Sequence, residues 1–195
     1  SEEYLGKALK GHREEAVIAS KFGGPMADDD PYMRGASRRY IMNAVEASLT
    51  RLNTDYIDLY QIHFPDPTTP LEETIRALDD LISMGKIRYM GNSNFAGWQI
   101  ASSEWIARAI GTNRFISAQN EYSLINRSIE TEVVPAAIEL GLAILPYFPL
   151  ASGLLTGKYG RAQDGPEGAR LTGTTSLSTR FRNPESTDKV EKLRS

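Results

Sequence analysis

The segment DYIDLYQIH, residues 55–63, indicates the architecture of this chain most directly. Its residues 56–62 are rich in Ile, Leu and Tyr, a composition typical of a β-strand. The run ends in a histidine, His63, and a helical pattern follows it. Strands followed by helices in this way predict βαβ units and a parallel sheet with helices on its faces.

Four further runs resemble this strand, and several are apolar at nearly every position. Successive strands start roughly 30 residues apart, the spacing of a (β/α)8 barrel. A closed barrel needs about 250 residues, whereas this chain has 195. We therefore expect an α/β fold of the (β/α)8 TIM-barrel type, cut at both ends, with about five central strand–helix units present; the alternative is an open five-stranded sheet. The other runs lie at 16–19, 87–90, 115–118 and 142–145.

The connections carry helix start and stop signals. Ser37 is positioned to cap one helix, and Thr69 with Glu72 forms the pattern of a capping box ahead of another. Gly85 follows that second helix as a stop signal. The segment 158–184 is rich in Gly, Thr, Ser and Arg and predicts a long mobile loop within a single domain over residues 1–195.

Composition excludes several classes of protein. The 22 Lys and Arg residues are balanced by 25 Asp and Glu residues, a net charge of −3, which argues against nucleic-acid binding. No apolar run is long enough to span a bilayer, and no export signal is visible, so we expect a cytoplasmic protein. There is no cysteine, and no spacing typical of metal ligands is present, so no metal site is expected.

The ends of the five predicted strands each bring a polar or aromatic side chain to one rim of the sheet. In parallel α/β proteins this rim carries the chemistry. A buried rim of such groups is costly unless a ligand satisfies them, so their coincidence predicts a binding site. The side chains are those of Lys21, His63, Asn94, Gln119 and Tyr147.

Several segments together resemble the aldo-keto reductase superfamily, in particular the bacterial branch that is similar to potassium-channel β subunits. The resemblance covers essentially the whole chain in family order. The segments are IASKFG at 18–23, DYIDLYQIH at 55–63, GKIRYMGNSNF at 85–95, QNEYSL at 119–124 and PLASGLLTGKY at 149–159.

This resemblance implies a (β/α)8 barrel that transfers a hydride between a nicotinamide cofactor, NADPH (NADP+), and an aldehyde or ketone. By position, Lys21 and His63 match the catalytic lysine and histidine of the family. A lysine ammonium would lower the pKa of a proton-donating tyrosine, and the histidine would orient or polarise the carbonyl. The implied partner is a small carbonyl substrate, and an oligomer is possible.

The resemblance also implies the residues that bind the cofactor. Ser93, Asn94 and Gln119 match residues that hydrogen-bond the nicotinamide carboxamide, and Tyr147 matches the aromatic residue that stacks on its ring. Phe148 stands where the family commonly has a serine, so only its backbone contact carries over. The loop around the pyrophosphate and the basic residues near the phosphates are matched by Phe148, Leu150, Gly153, Lys158 and Arg170.

Two of the four catalytic residues of the family, an Asp and a Tyr, match positions upstream of residue 1. From this we expect a truncated reductase that is inactive as an isolated chain. Two other functions stay open. One is a Schiff-base aldolase that uses Lys21 as its nucleophile, and the other is a non-catalytic nicotinamide-nucleotide-binding protein similar to channel β subunits.

Overall fold

The computed structural model of the protein describes residues 1–27, 30, 32–159, 165–173 and 175–194. These residues divide into two compact units. The first comprises residues 1–119 and 131–145, and the second comprises residues 120–130 and the described residues from 146 onward. The expectation of one partial barrel over residues 1–195 stays a prediction.

The first unit is built on a sheet of five parallel strands that lie side by side in sequence order. Consecutive strands of a (β/α)8 barrel have this order and direction. The predicted α/β class and partial-barrel architecture are therefore confirmed. The strands are β1 (Ala19–Phe22), β2 (Ile57–Ile62), β3 (Ile87–Ser93), β4 (Phe115–Gln119) and β5 (Ala143–Ile144).

Helices precede or connect these strands, and two further helices lie in the second unit. Those of the first unit are α1 (Glu2–Ala8), α2 (Arg38–Leu52), α3 (Leu71–Ser83), α4 (Gly97–Ile110) and α5 (Val133–Leu140). Those of the second unit are α6 (Ser176–Phe181) and α7 (Pro184–Arg194). In the described residues, no helix has the length and apolar character needed to cross a membrane.

The helix signals are confirmed at two positions and wrong at a third. The Ser37 hydroxyl accepts a hydrogen bond from the Tyr40 amide, 3.3 Å away, and caps α2. Gly85 follows the end of α3 with a φ of 74°. The capping box of Thr69 is wrong, because Pro70 occupies the cap position and the Thr69 hydroxyl donates instead to Asp66, at 2.8 Å.

Strand β1 begins three residues later than its predicted start at 16. The amide of Ile18 donates to the Asp58 carboxylate, at 2.8 Å, rather than to a neighbouring strand. Val17 is exposed, and the ladder with β2 starts with Ala19 opposite Leu59. As a result, Lys21 lies within the strand and not in the loop after it.

The second unit has its own apolar core, which includes Phe181. A helix, α6, lies inside the segment 158–184 that was predicted to be a loop, so this part of the prediction is wrong. Thr175 and Ser178 cap the helix reciprocally, and burial of Phe181 stabilises it. Residues 160–164 and 174 of the predicted loop lie outside the described residues.

Candidate active site

Lys21 and His63 lie at the carboxyl ends of neighbouring strands. Lys21 is paired in register with Gln61. The amide of His63 donates to the carbonyl of Phe22 at 2.9 Å, which continues the ladder one residue past β2. The backbone therefore fixes these two side-chain positions against each other.

Both side chains line the same two cavities. One cavity has a volume of about 260 Å³, and Met26, Met33 and Tyr40 contribute to its wall. The other has a volume of about 1110 Å³ and runs along helix α1. The predicted convergence of the Lys21 ammonium and the His63 imidazole is thus what the structure shows.

The rim is less buried than the sequence predicted. Lys21 is exposed and His63 is half-buried. The reason is that β1 is the outermost strand of the described sheet, so one of its sides has no neighbouring strand there. Ser93 at the end of β3, in contrast, is buried as expected.

The electrostatics of the pair favour a neutral imidazole beside a cation. Burial lowers the pKa of the His63 imidazole, and the positive charge of Lys21 lowers it further. Partial desolvation also lowers the pKa of the Lys21 ammonium. Among the described residues, Lys21 has no hydrogen-bond or ion-pair partner. The His63 ring stacks on Phe64 with ring centroids 4.2 Å apart. Such a pair can polarise an oxygen atom that becomes negatively charged.

A cluster of amide and hydroxyl groups lies beside this pair, where β3 and β4 end. The side-chain amide of Asn94 donates to the His63 carbonyl at 2.9 Å and to the Ser93 hydroxyl at 3.1 Å. The Ser93 hydroxyl donates to the Gln119 carbonyl at 2.8 Å. The side-chain oxygen of Gln119 is buried and has no partner within the described part of the chain, so it can accept a hydrogen bond from a ligand.

One further network was not predicted from the sequence. The Glu2 carboxylate accepts hydrogen bonds from the Ser20 hydroxyl and from Arg51, the latter at 2.7 Å. Ser20 precedes Lys21 in β1, and Arg51 lines both cavities. The sequence shows an acidic residue in α1 and a cation in the last turn of α2. These residues are far apart in the sequence, so the sequence alone does not indicate that they pair.

The second unit contains the remaining predicted site residues. The amide of Tyr147 donates to the Asn120 carbonyl at 3.0 Å. The rings of Tyr147 and Phe148 meet edge to face with centroids 5.6 Å apart. The guanidinium of Arg170 lies 5.7 Å from the Phe148 ring centroid. The structure therefore brings Tyr147, Phe148 and Arg170 together.

Gly153 and Lys158 form a second group in this unit. Gly153 has a φ of 101°, and a Cβ atom there would lie 3.3 Å from Cε of Lys158. Beside it, the buried hydroxyl of Ser152 has no partner in the described residues, a feature that the sequence did not reveal. Leu150 is exposed.

Metal ligands do not gather anywhere in residues 1–27, 30, 32–159, 165–173 and 175–194. No group of three or more His, Asp or Glu side chains there could hold an ion.

Comparison with known proteins adds an independent observation. A family model described as aldo/keto reductase family matches residues 1–195. The uncharacterized oxidoreductase YrpG of Bacillus subtilis is 41% identical over 161 residues, which cover 81% of this chain and 49% of that protein.

Two more relatives extend the comparison. Versiconal hemiacetal acetate reductase of Aspergillus parasiticus is 40% identical over 80% of this chain and 50% of its own length. A putative voltage-gated potassium channel subunit beta of Schizosaccharomyces pombe is 36% identical over 100% of this chain and 57% of its own length. The chain spans about half the length of these relatives.

Proposed function

Because the chain belongs to the aldo/keto reductase family, a family of oxidoreductases, we propose that it acts in NADPH-dependent reduction of an aldehyde or ketone. NADPH would supply the hydride, and NADP+ would accept a hydride in the reverse reaction. The substrate is a small carbonyl compound, and the protein works in the cytoplasm.

One observation carries this proposal: Lys21 and His63 face the same cavities at adjacent strand ends. Hydride addition to a carbonyl carbon leaves negative charge on the oxygen. A positive ammonium and an imidazole that donates a hydrogen bond stabilise that charge. The depressed pKa of His63 keeps its ring neutral near pH 7, so one ring nitrogen donates while the other accepts.

The amide cluster fits the nicotinamide end of the cofactor. A carboxamide group offers one acceptor and two donor hydrogens, and its partners must match both. The buried, unsatisfied oxygen of Gln119 accepts a hydrogen bond, and Ser93 and Asn94 supply hydroxyl and amide groups next to it. These three side chains would orient the ring plane, which is the positioning that hydride transfer requires.

For the second unit we propose the contacts that the family resemblance implies. Tyr147 would stack on the nicotinamide ring, and the backbone of Phe148, Leu150 and Gly153 would contact the pyrophosphate. Exposed cations suit phosphate groups, and Lys158 and Arg170 are exposed. The roles of all these residues stay predictions.

The test is a fluorescence titration of residues 1–195 with NADPH, followed by turnover assays on a panel of aldehydes. We expect no turnover from residues 1–195 alone, so turnover is assayed in a protein that also supplies the Asp and Tyr implied by the family resemblance. We expect saturable binding, and we expect Gln119→Leu to weaken it about tenfold through the lost hydrogen bond. Asn113→Leu is the matched control, because Asn113 is an exposed amide at the opposite end of β4. Absence of NADPH binding, or equal binding by both variants and the unmodified protein, would contradict the assignment.

A second function is a nucleotide-binding protein without rapid turnover. It is favoured by the match to the putative channel β subunit along 100% of this chain. Such a protein would oxidise its bound NADPH in a single, slow turnover. Repeated turnover in the steady state distinguishes a reductase from it.

A further inference from the structure

Two loops follow the strands that carry Lys21 and His63. The described residues of the β1–α2 loop are 23–27, 30 and 32–37, and the β2–α3 loop covers residues 63–70. Between them lies a crevice of about 570 Å³, lined by Gly35 and Phe64 among others. Where the loops leave the strands, the amide of His63 donates a hydrogen bond to the carbonyl of Phe22.

Asp66 joins the two loops across this crevice. Its Oδ2 accepts a hydrogen bond from the backbone amide of Ala36, at 2.8 Å, and from the Thr69 hydroxyl, at 2.8 Å. Its Oδ1 accepts from the amide and the hydroxyl of Thr68, at 2.9 and 2.6 Å. Both oxygens are therefore engaged, and one of the bonds crosses to the other loop.

The geometry around Ala36 makes this crossing bond hard to replace. Ala36 is 1% exposed, so its amide has no access to water if the carboxylate is removed. The carbonyl of Ala36 accepts from the Thr74 hydroxyl at 2.9 Å. Next to it, Gly35 has a φ of 82°, and a Cβ atom there would lie 2.6 Å from Oδ2 of Asp66.

The held loop is also a wall of the smaller active-site cavity. Gly24, Pro25, Met26 and Met33 belong to the β1–α2 loop and line the cavity of about 260 Å³ together with Lys21 and His63. Within the loop, the Gly35 amide donates to the Gly23 carbonyl at 3.0 Å. Fixing Ala36 therefore fixes the chain that shapes this wall.

We propose that Asp66 is a positioning residue that sets the shape of the carbonyl-binding cavity by holding the β1–α2 loop against the β2–α3 loop. This inference rests on the proposed reductase function. The side chains of Met26, Met33 and Phe22 form an apolar part of the cavity wall, whereas Lys21, His63 and Arg51 form a polar part. We assign the apolar part to the substituent of the carbonyl substrate. The Ser93 and Gln119 side chains, which we propose to bind the nicotinamide, make no hydrogen bond to Asp66 or Ala36 within the described residues, so we expect the effect to fall on the carbonyl substrate.

The experiment compares Asp66→Asn with Asp79→Asn in the full-length protein. Asp79 also ties two segments together, by accepting from the amide and the side chain of Asn113 at 2.9 and 2.8 Å, but it lies near the other end of α3. In Asp66→Asn one oxygen becomes an amide group that cannot accept. We expect the KM for the carbonyl substrate to rise about tenfold, with the NADPH Kd unchanged, and both constants unchanged in Asp79→Asn.

A second measurement separates positioning from general loosening. Hydrogen exchange at the Ala36 amide should become at least about tenfold faster in Asp66→Asn. Gly35→Ala should give the same KM shift, because its methyl group displaces the same carboxylate; it also supplies the test if Asp66→Asn fails to fold.

Three outcomes overturn the inference. An unchanged KM in Asp66→Asn, with normal turnover in the unmodified protein, refutes the positioning role alone. A parallel rise of KM and NADPH Kd shows general loosening instead. Absence of turnover in the unmodified full-length protein refutes the proposed function and this inference with it.

Discussion

At the amino ends of β1 to β3 the charged side chains pair with one another, whereas at the carboxyl ends of β1 and β2 the cation and the imidazole face a cavity. Arg13 makes an ion pair with Asp58 at 2.7 Å, and these side chains are 16% and 20% exposed. Lys21, at the other end of β1, has no such partner among the described residues. The cation near the amino end of β1 is therefore paired with a carboxylate, whereas the cation near its carboxyl end has no such partner in the described residues.

The amino end is organised around Tyr56. Its ring lies between two guanidinium groups, with Arg13 at 4.0 Å and Arg88 at 4.3 Å from the centroid. Its hydroxyl donates to Glu14 at 3.0 Å. Arg13 also donates to the carbonyls of Ala16 and Tyr56, at 2.8 and 3.0 Å. This end satisfies its own polar groups and so contributes stability, which leaves ligand binding to the other end, as in other barrels of this type.

The largest effect that tests this contrast is on catalysis. Replacing Lys21 with methionine in the full-length protein should lower kcat about a thousandfold, because the cation beside the developing oxyanion is lost. The free energy of unfolding should change by less than about 0.5 kcal/mol, since Lys21 is exposed and unpaired. Steady-state kinetics and urea unfolding measure the two quantities.

Lys86→Met is the control for that substitution. Lys86 directly precedes β3 at the amino end and pairs with Glu46. We expect its kcat to equal that of the unmodified protein. A loss of rate in both variants would show that net charge, and not position, is responsible.

The next effect is on stability and should fall on the opposite end. Arg13→Ala leaves the largely buried Asp58 carboxylate without its cationic partner, so the free energy of unfolding should fall by about 3 kcal/mol. Urea unfolding measures this loss, and the NADPH Kd of the folded protein should not change. Arg76→Ala, which breaks an exposed pair with Glu72, is the control and should cost less than about 0.5 kcal/mol. Equal losses of unfolding free energy in Arg13→Ala and Arg76→Ala would show that the ion pair at the amino end of the sheet does not stabilise the fold more than an exposed pair does.

A pair of asparagines gives a smaller and better matched comparison. Asn53 and Asn94 both have left-handed backbone conformations, with φ of 51° and 61°. Asn53 ends α2 near the amino end, and its side chain has no partner in the described residues. Asn94 bonds His63 and Ser93 through its side chain.

Glycine tolerates this backbone conformation at both positions. Asn94→Gly should therefore lower the free energy of unfolding by about 1 kcal/mol through its lost hydrogen bonds, whereas Asn53→Gly should leave it unchanged. Thermal or urea unfolding of the two variants measures this difference in the free energy of unfolding. A larger loss in Asn53→Gly would mean that backbone strain, and not side-chain bonding, dominates at these sites.

The features that could be predicted are those that depend on residues close together in the sequence. The strand at 56–62 follows from its apolar composition, and the Ser37 cap follows from local chemistry. Strand β1 was misplaced because the carboxylate of Asp58, 40 residues away, takes the amide of Ile18. Periodicity contains no information about such a bond.

In the candidate site, too, the features set by residues close in sequence were predicted, and those set by distant residues were not. Lys21 and His63 could be found because each ends a strand that local pattern predicts. Glu2 bonds Arg51 at a separation of 49 residues, and Asp66 bonds Ala36 at a separation of 30. Which acidic residue reaches which donor depends on how the helices pack, so only the structure identifies these two carboxylates.

The most delicate comparison concerns the titration of His63. Its pKa lies below the usual value of about 6.5, so on acidification the unfolded chain takes up a proton before the folded one does. The stability contributed by the neutral imidazole is present above that usual value and is lost as pH falls through the folded pKa.

Lys21→Met should raise the pKa of His63, because the nearby positive charge disappears, but desolvation, the larger cause, should keep it below the usual value. Lys86→Met should leave it unchanged. NMR titration of the imidazole Cε1 proton measures this directly, and His12, the other of the 2 histidines, can be assigned by substitution. Identical His63 titrations in Lys21→Met and the unmodified protein would show that the two groups do not interact, and the proposed active site would lose its main support.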